Sequence, residues 1–411
     1  MLPKADPERN LLSSDVFCVA PWSQLSIGAD GGVSTCCKAK SLIGDLKTSS
    51  IADVWNSAEM RAVRLDMLQG RKSAQCEECR LMQSAGGAPT HRQSLNEGFG
   101  RHAPLARTTL EDGRVPEVNL RFLHIRFSHA CNFKCRICGP WLSTGWYEDS
   151  KIVYGADYTL ELSRAARPND LERTLEPWLA DLEVIHFSGG EPLIMDEHYR
   201  VLDRLIARRQ FHVKLLYSTN FSTMTHRGRD VMKLWDRFED VRVSASLDGS
   251  GKRGEYLRAG QDWAQVVENR KRMFEACPRV EFSATPTLCA MNALHVPDFH
   301  REWLEKGYVP PDGFHLNVLQ TPPEYSIQIL PAPIKRRVAE KYLAHVEEVR
   351  AEFGEVAGRH ARSVYATARH FLEARDQSDR LGEFRVRTAM LDLLRKERFE
   401  DVFPELAGLM G

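Results

Sequence analysis

The hydrophobic pattern in the central part of the chain is that of short strands alternating with helices. Six runs rich in β-branched and aromatic residues are separated by amphipathic segments such as "DEHYRVLDRLIARR". The runs span residues 120–128, 183–188, 213–218, 241–247, 280–285 and 314–319. Strands that alternate with helices are typical of a parallel α/β sheet or barrel. In such folds we expect the chemistry at the carboxyl ends of the strands.

The regions on either side of these strands follow other patterns. Near the N-terminus, "QLSI" and "GVST" flank the turn "GADG", which predicts a β-hairpin. A helical segment follows, with Ser50 and Asp53 as a capping pair and Gly70 as its end. We predict a cysteine-rich module, a long connection of weak periodicity, an α/β barrel and a helical region, in that order, at residues 1–83, 84–118, 119–332 and 333–411.

The charge of the chain excludes some classes of partner. The 411 residues include 56 basic and 56 acidic side chains, so there is no general attraction to nucleic acid or to an anionic membrane. The first residues lack the apolar segment of a signal peptide, and no apolar run reaches the roughly 18 residues that cross a membrane. We therefore expect a cytoplasmic protein that binds neither nucleic acid nor membrane.

Cysteines are the most informative residues of the chain. Eight of the ten lie before residue 139, and in a cytosolic chain such clusters indicate metal ligands before disulfides. The segment "CNFKCRIC" holds Cys131, Cys135 and Cys138. A structural zinc ion requires four protein ligands, whereas three thiolates on a four-iron cube would leave one iron free for a small molecule. The spacing favours an iron–sulfur cluster over zinc without excluding zinc.

A glycine-rich turn follows the next predicted strand. In "HFSGGEPLIM", residues 186–195, Gly189 and Gly190 allow the backbone to approach a ligand closely, and Glu191 supplies a carboxylate. An ammonium group would find carbonyl and carboxylate acceptors together at this turn.

The cysteine loop and this turn, one βα unit apart, together resemble the radical S-adenosylmethionine (SAM) enzymes over residues 119–320. Further elements that resemble the family are "YSTN" at 217–220, "SLDGSG" at 246–251 and "YLRAG" around Arg258. The resemblance implies an α/β fold with a partial (β/α)6 TIM-like barrel. It also implies a set of cofactor-binding residues: Cys131, Cys135 and Cys138 for a 4Fe–4S cluster, Gly189, Gly190 and Glu191 for the methionyl amine, and Asn220, Ser246 and Arg258 for further contacts with SAM.

The activity implied by the resemblance is radical chemistry. The reduced cluster would cleave SAM to a 5′-deoxyadenosyl radical that abstracts hydrogen from a substrate carbon. Such an enzyme needs a reductant such as flavodoxin or ferredoxin. We expect oxidation or cross-linking of a small molecule or a peptide.

The N-terminal cysteines form a second candidate metal site. The hairpin and the helical segment would bring together four ligands, Cys18, Cys36, Cys76 and Cys79, which suit zinc or a cluster. The stretch resembles the SPASM/twitch module, which implies an auxiliary 4Fe–4S cluster that transfers electrons. The spacing from Gly31 selects Cys36 over Cys37 as the ligand, and Cys37 is then expected to be a buried thiol.

Two other functions remain open at this point. In the first, the enzyme is a radical epimerase in which Cys289, after the fifth predicted strand, returns a hydrogen atom to the substrate. In the second, the chain is a non-catalytic metal-binding or regulatory protein that has kept the fold.

Overall fold

A computed structural model of the chain describes residues 11–85, 89–155 and 174–411. Residues 1–10 of the predicted module and 86–88 of the predicted connection therefore lie outside the described residues. The strands are β1 Gln24–Ile27, β2 Gly32–Ser34, β3 Gly44–Asp45, β4 Phe122–Arg126, β5 Val184–Ser188, β6 Lys214–Thr219, β7 Thr225–His226, β8 Arg229–Asp230, β9 Val241–Ala245, β10 Glu281–Ala284, β11 Thr287–Leu288 and β12 Asn317–Val318. The described α-helices are α1 Ala20–Ser23, α2 Ile51–Trp55, α3 Ala58–Leu68, α4 Glu77–Ala85, α5 His91–Phe99, α6 Tyr147–Val153, α7 Asp196–Ala207, α8 Val231–Trp235, α9 Gly251–Leu257, α10 Trp263–Ala276, α11 Val296–Glu305, α12 Ala332–Glu373, α13 Leu381–Arg395 and α14 Phe399–Val402.

The predicted α/β architecture is confirmed. One sheet has the strand order β10-β9-β6-β5-β4-β1-β2-β3, and its strands from β10 to β1 are parallel. Five of the six predicted strands belong to this sheet. The sixth segment, 314–319, continues past β10 through a single bridge between Ala284 and Phe314, and its strand β12 pairs with β11 in a separate small sheet.

The N-terminal hairpin is part of the barrel sheet. Strand β1 pairs in parallel with β4, with Ser26 opposite His124, while β2 pairs with β1 in the antiparallel direction. The predicted hairpin is thus confirmed, but the sequence did not predict that it pairs with the barrel sheet. Local patterns do not specify a partner about a hundred residues away, so this contact could not be predicted from the sequence. The pairing attaches the cysteine-rich module directly to the first barrel strand.

Sequence signals set the ends of the helices around the module. Ser50 and Asp53 form the predicted capping box of α2, and Gly70 has a positive φ of 71° just after α3. The predicted connection 84–118, in contrast, is not irregular throughout. It contains α5, which has its own capping box from Thr90 and Gln93 and buries Leu95 on the core.

The two faces of the barrel strands have different chemistry. On β4, Leu123 and Ile125 are buried in the hydrophobic core, as are Ile185 on β5 and Tyr217 on β6. Helix α7 packs on this face, where His198 hydrogen-bonds to the Tyr217 hydroxyl at 2.9 Å. The alternate residues point to the other face, because successive side chains of a strand alternate. The inner face is therefore free to carry polar groups.

The C-terminal helices hold the cysteine loop in place. Arg136, between the second and third loop cysteines, is fully buried and donates to Asp392 of α13 at 2.6 Å and to Glu397 at 2.7 Å. Its guanidinium also lies 3.6 Å from the centre of the Tyr256 ring. The predicted helical C-terminus is confirmed, and α13 acts as a brace for the loop. Within the described residues, no helix is both long and apolar enough to cross a membrane.

We expect Arg136→Gln to lower the free energy of unfolding by about 3 kcal/mol, because it leaves Asp392 inside the protein without its cation. The matched control is Arg301→Gln, since Arg301 forms ion pairs but its side chain is 42% exposed. We expect the control to cost less than about 1 kcal/mol. Urea denaturation of the reconstituted protein measures both, and equal shifts would contradict the proposed bracing role.

Candidate functional site

A cavity of about 890 Å³ lies on the inner face of the barrel sheet. Alternate residues of β4, β5, β6 and β9 form its wall. The cavity brings together most of the cofactor-binding residues that the motifs predicted, although they lie far apart in the sequence. The predicted residues on its wall are Cys131, Cys135, Cys138, Gly189, Gly190, Asn220, Ser246 and Arg258.

The two glycines sit directly against the cysteine loop. Gly189 has a φ of 119°, and a Cβ on Gly190 would lie 2.1 Å from the carbonyl oxygen of Ala130. The Gly190 N–H donates to the Ser128 carbonyl at 3.1 Å, and the Glu191 N–H donates to that of Ala130 at 2.8 Å. No side chain fits at Gly190 without moving the loop, which explains why the glycine pair and the cysteines occur together.

Glu191 lies behind the glycines and is not on the cavity wall. Its carboxylate accepts hydrogen bonds from the Thr219 hydroxyl at 2.7 Å, from the Asn220 N–H at 2.6 Å and from the Leu193 N–H at 3.1 Å. Burial raises the pKa of Glu191 to about 7, while these donors act in the opposite direction. The side chain thus joins the end of β5 to the end of β6 and orients the turn.

The three loop thiols lie close enough to influence one another. Burial is the main cause that raises the pKa of Cys135 to about 12; Arg258 acts to lower it, and the neighbouring Cys138 and Cys131 act to raise it. Burial also raises the pKa of Cys138 to about 11 and that of Cys131. A metal ligand must be a thiolate, so three buried thiols near one point need a strong cationic partner.

Arg258 supplies positive charge beside this group. Its Nη1 lies 3.8 Å from the Cys135 sulfur, and its Nε lies 2.7 Å from a carboxylate oxygen of Asp248. The other Asp248 oxygen accepts from the Thr287 N–H at 2.7 Å. This buried ion pair fixes the guanidinium against the cysteine loop.

The remaining two polar residues of the predicted site have protein partners as well. Asn220 donates from its amide to the Asn132 side chain at 2.9 Å and accepts from the Ser222 hydroxyl at 2.6 Å. The backbone N–H of Ser246 donates to the Thr219 carbonyl at 2.8 Å. Both residues therefore hold fixed positions on the cavity wall, after β6 and β9 of the same sheet.

The four predicted module cysteines form a second group of interacting thiols. Burial is the largest cause of the raised pKa values, about 12 for Cys18 and about 11 for Cys76. Cys76 and Cys79 contribute to the raised pKa of Cys18, while Cys37, Cys18 and Cys79 contribute to that of Cys36 after the larger effect of burial. The four thiols thus lie within electrostatic range of one another.

Neither thiol group has the geometry of a preformed single-ion site. Over the described ranges, no three histidine, cysteine or acidic side chains are placed so that they could hold one metal ion. Tetrahedral zinc holds each sulfur about 2.3 Å from the metal. Cysteine thiolates are the ligands that iron–sulfur clusters use, so both donor sets fit a cluster in their chemistry.

Cys37 differs from Cys36 in lining the central cavity. It is partly exposed there, and its sulfur lies 3.8 Å from Nε2 of His91. The sequence predicted a buried thiol at Cys37, and the spacing from Gly31 selected its neighbour Cys36 as the ligand. The structure places Cys36 toward the module and Cys37 toward the barrel.

Cys289 is not brought to the cavity. It is fully buried, like Leu288 and Ala290 beside it, and it is absent from the described cavity wall. Its N–H donates to the Asn292 side chain at 2.8 Å. The geometry therefore offers no support for Cys289 as a hydrogen donor to a substrate in this cavity.

Three histidines on the cavity wall were not selected from the sequence. His124 hydrogen-bonds to the hydroxyls of Ser26 and Ser188, each at 2.7 Å. Burial lowers the pKa of His124 to about 2 and those of His186 and His91 to about 4, so all three are neutral near pH 7. The alternation in "LRFLHIRFS" and "EVIHFS" could have identified His124 and His186 as inward-facing residues.

Comparison with known proteins agrees with the motifs. Residues 125–306 match the model of the radical SAM superfamily, and residues 18–80 match the model of the SPASM iron–sulfur cluster-binding domain. No curated protein matches the chain. The chain thus contains a radical SAM domain preceded by a SPASM domain, as the motifs predicted. These two domains indicate a 4Fe–4S cluster, an auxiliary cluster and SAM, which confirms the cofactor prediction.

Solved structures show only distant similarity. The native anSMEcpe enzyme with bound AdoMet is 17% identical, with a TM-score of 0.37, and the match covers 56% of this chain and 58% of that one. SuiB from Streptococcus suis with bound S-adenosylmethionine is 14% identical, with a TM-score of 0.39 over 71% of this chain and 63% of that one. SuiB is also known bound to its precursor peptide SuiA, at 15% identity and a TM-score of 0.37. At these identities and TM-scores, the matches do not indicate the activity of this chain.

We expect Gly190→Ala to disrupt the cofactor site, because the added methyl group would collide with the Ala130 carbonyl. Iron content should fall from about eight to about four atoms per chain, with loss of SAM binding. Gly382→Ala is the control, since a Cβ at Gly382 meets nothing within 4 Å. Iron analysis and equilibrium binding of SAM measure the effect, and normal values for Gly190→Ala would contradict it.

Proposed function

We propose that the chain is an enzyme that reductively cleaves SAM and removes a hydrogen atom from a small molecule or peptide held in the barrel cavity. The observation that carries this proposal is the convergence of the three loop thiols and the Gly189–Gly190 turn on one cavity. When bound, the cluster and SAM supply the electron and the carbon radical. Net oxidation or cross-linking of the substrate follows as the proposed outcome.

Each part of the cavity wall has a separate task in this proposal. The sulfurs of Cys131, Cys135 and Cys138 would hold a 4Fe–4S cluster through three protein ligands. The Gly189–Gly190 backbone would accept hydrogen bonds from the methionyl amine, and Glu191 orients that turn through its three donors. The Arg258 guanidinium compensates the charge of the bound thiolates.

Asn220 and Ser246 contact SAM in this proposal from the ends of β6 and β9. Both are on the wall of the same cavity as the glycine turn. The hydrogen bonds that hold them are already formed by the protein, so their positions need no rearrangement when SAM binds.

The N-terminal module, proposed to span residues 1–83, holds the auxiliary cluster through Cys18, Cys36, Cys76 and Cys79. Four protein ligands leave no free corner for a substrate, so we assign the module an electron-transfer role. The pairing of β1 with β4 fixes the module beside the cavity, and its Cys37 and Lys38 form part of the cavity wall. Flavodoxin or ferredoxin would supply the electrons.

The proposal is tested by SAM cleavage after anaerobic reconstitution. Wild-type protein should contain about eight iron atoms and form 5′-deoxyadenosine only when dithionite is added. Cys135→Ala should retain about four iron atoms and form none. Cys277→Ala, which changes a buried cysteine outside both thiol groups, should behave as wild type. Tightly bound zinc without SAM cleavage would instead favour a non-catalytic metal-binding protein.

The two neighbouring module cysteines allow a second test. Cys36→Ser should lose about four iron atoms, because it removes one of the four ligands of the auxiliary cluster, whereas Cys37→Ser should keep about eight. Iron analysis with optical and paramagnetic resonance spectra measures the difference. Iron loss in Cys37→Ser with full content in Cys36→Ser would reverse the assignment.

A further inference from the structure

The cavity wall carries positive charge and no negative charge. Among the described residues that form it, none is an aspartate or a glutamate. The lysines and arginines on the wall are Lys38, Arg126, Lys214, Arg242 and Arg258. An excess of one sign inside a partly enclosed cavity attracts ligands of the opposite sign.

Four of these five cations are neutralised by carboxylates behind the wall. Their closest ion pairs are Lys38 with Glu78 at 2.6 Å, Lys214 with Asp240 at 2.6 Å, Arg242 with Glu281 at 3.0 Å and Arg258 with Asp248 at 2.7 Å. These charges are therefore already balanced by the protein itself.

Arg126 is the exception. Its guanidinium has no ion pair and no hydrogen bond with any residue in the described parts of the chain, although the side chain is partly buried. A guanidinium carries five N–H donors and stays charged at all relevant pH values. The donors of Arg126 face the cavity without a partner among the described residues, so an anion in the cavity would meet an unpaired cation there.

The position of Arg126 is next to the site of SAM cleavage. It ends strand β4 and lies opposite Ser188, the residue before the glycine turn. Arg126 shares the cavity wall with Cys37 of the N-terminal module and with His124 and His186 of the barrel, and its charge acts on all three after the larger effect of burial.

The neighbours of Arg126 on this side are uncharged. His91, His124 and His186 are neutral near pH 7, and the serine hydroxyls around them can donate or accept hydrogen bonds. An anion would thus meet one fixed positive charge surrounded by neutral polar groups. The planar fork of arginine matches the two oxygens of a carboxylate or phosphate.

We propose that Arg126 binds an oxyanion of the substrate, a carboxylate or a phosphate, and holds it between the glycine turn and the module. This inference rests on the proposed function and adds the substrate class. An acidic metabolite and an acidic peptide share this chemistry. Arg258 on the same wall is already paired with Asp248, so Arg126 is the guanidinium assigned to the anion.

The test uses the reconstituted protein with both clusters and SAM bound. Calorimetry measures binding of inorganic phosphate, glutarate and glutaramide, of which glutaramide is a neutral analogue of glutarate. Wild-type protein should bind at least one anion at least about tenfold more tightly than glutaramide. Arg126→Gln should lose this preference, and Arg126→Lys should keep part of it because the charge remains while the fork is lost.

Arg242→Gln is the matched control, because Arg242 also lies on the cavity wall but is paired with Glu281 and Asp240. It should keep the anion preference and cleave SAM as wild type does. Iron content, measured for every variant, excludes loss of the fold as the cause of a change.

Preference for phosphate alone would support a phosphorylated substrate, and preference for glutarate alone would support a carboxylate. No anion preference in the wild type, or a preference that survives in Arg126→Gln, would overturn the inference. Weaker SAM binding by Arg126→Gln with unchanged anion binding would overturn it too, because Arg126 would then contact SAM. Failure of wild-type protein to cleave SAM would remove the proposed function separately, without affecting the anion comparison.

Discussion

The close packing of Gly190 against the Ala130 carbonyl is the contact on which the site depends. A Cβ there would lie 2.1 Å from that oxygen, so the turn after β5 and the loop after β4 can meet only through bare backbone. Two backbone hydrogen bonds then fix the turn against the loop. One steric constraint thus joins the proposed metal ligands to the proposed acceptors for the amine of SAM.

Charged groups around this contact also hold the cysteine loop in place. Burial keeps the loop thiols protonated until a metal binds, and the Arg258–Asp248 pair places a fixed cation 3.8 Å from Cys135. Arg136 ties the same loop to Asp392 of the C-terminal region. The barrel, the loop and α13 therefore act as one unit, and β1 adds the N-terminal module to the same sheet.

Local features of the sequence predicted most of the site. The cysteine spacing, the glycine pair, the hairpin turn and the Ser50 capping box all act within a few residues, so each can be recognised from its own segment. Features that depend on distant contacts were missed. The pairing of β1 with β4 and the shared cavity wall of Cys37, His91 and Arg126 arise only when separate segments meet. The capping box of α5 is local, but the glycines and prolines around it hide the helical pattern.

The central claim is that three cysteines leave one iron of the first cluster open to SAM beside the glycine turn. Electron–nuclear double resonance on the reduced protein, with SAM labelled isotopically in its carboxylate and amine, measures this contact directly. The account predicts hyperfine coupling between the cluster and both labelled groups in wild-type protein. A paramagnetic cluster that shows no coupling to either group, at saturating SAM, would contradict the account.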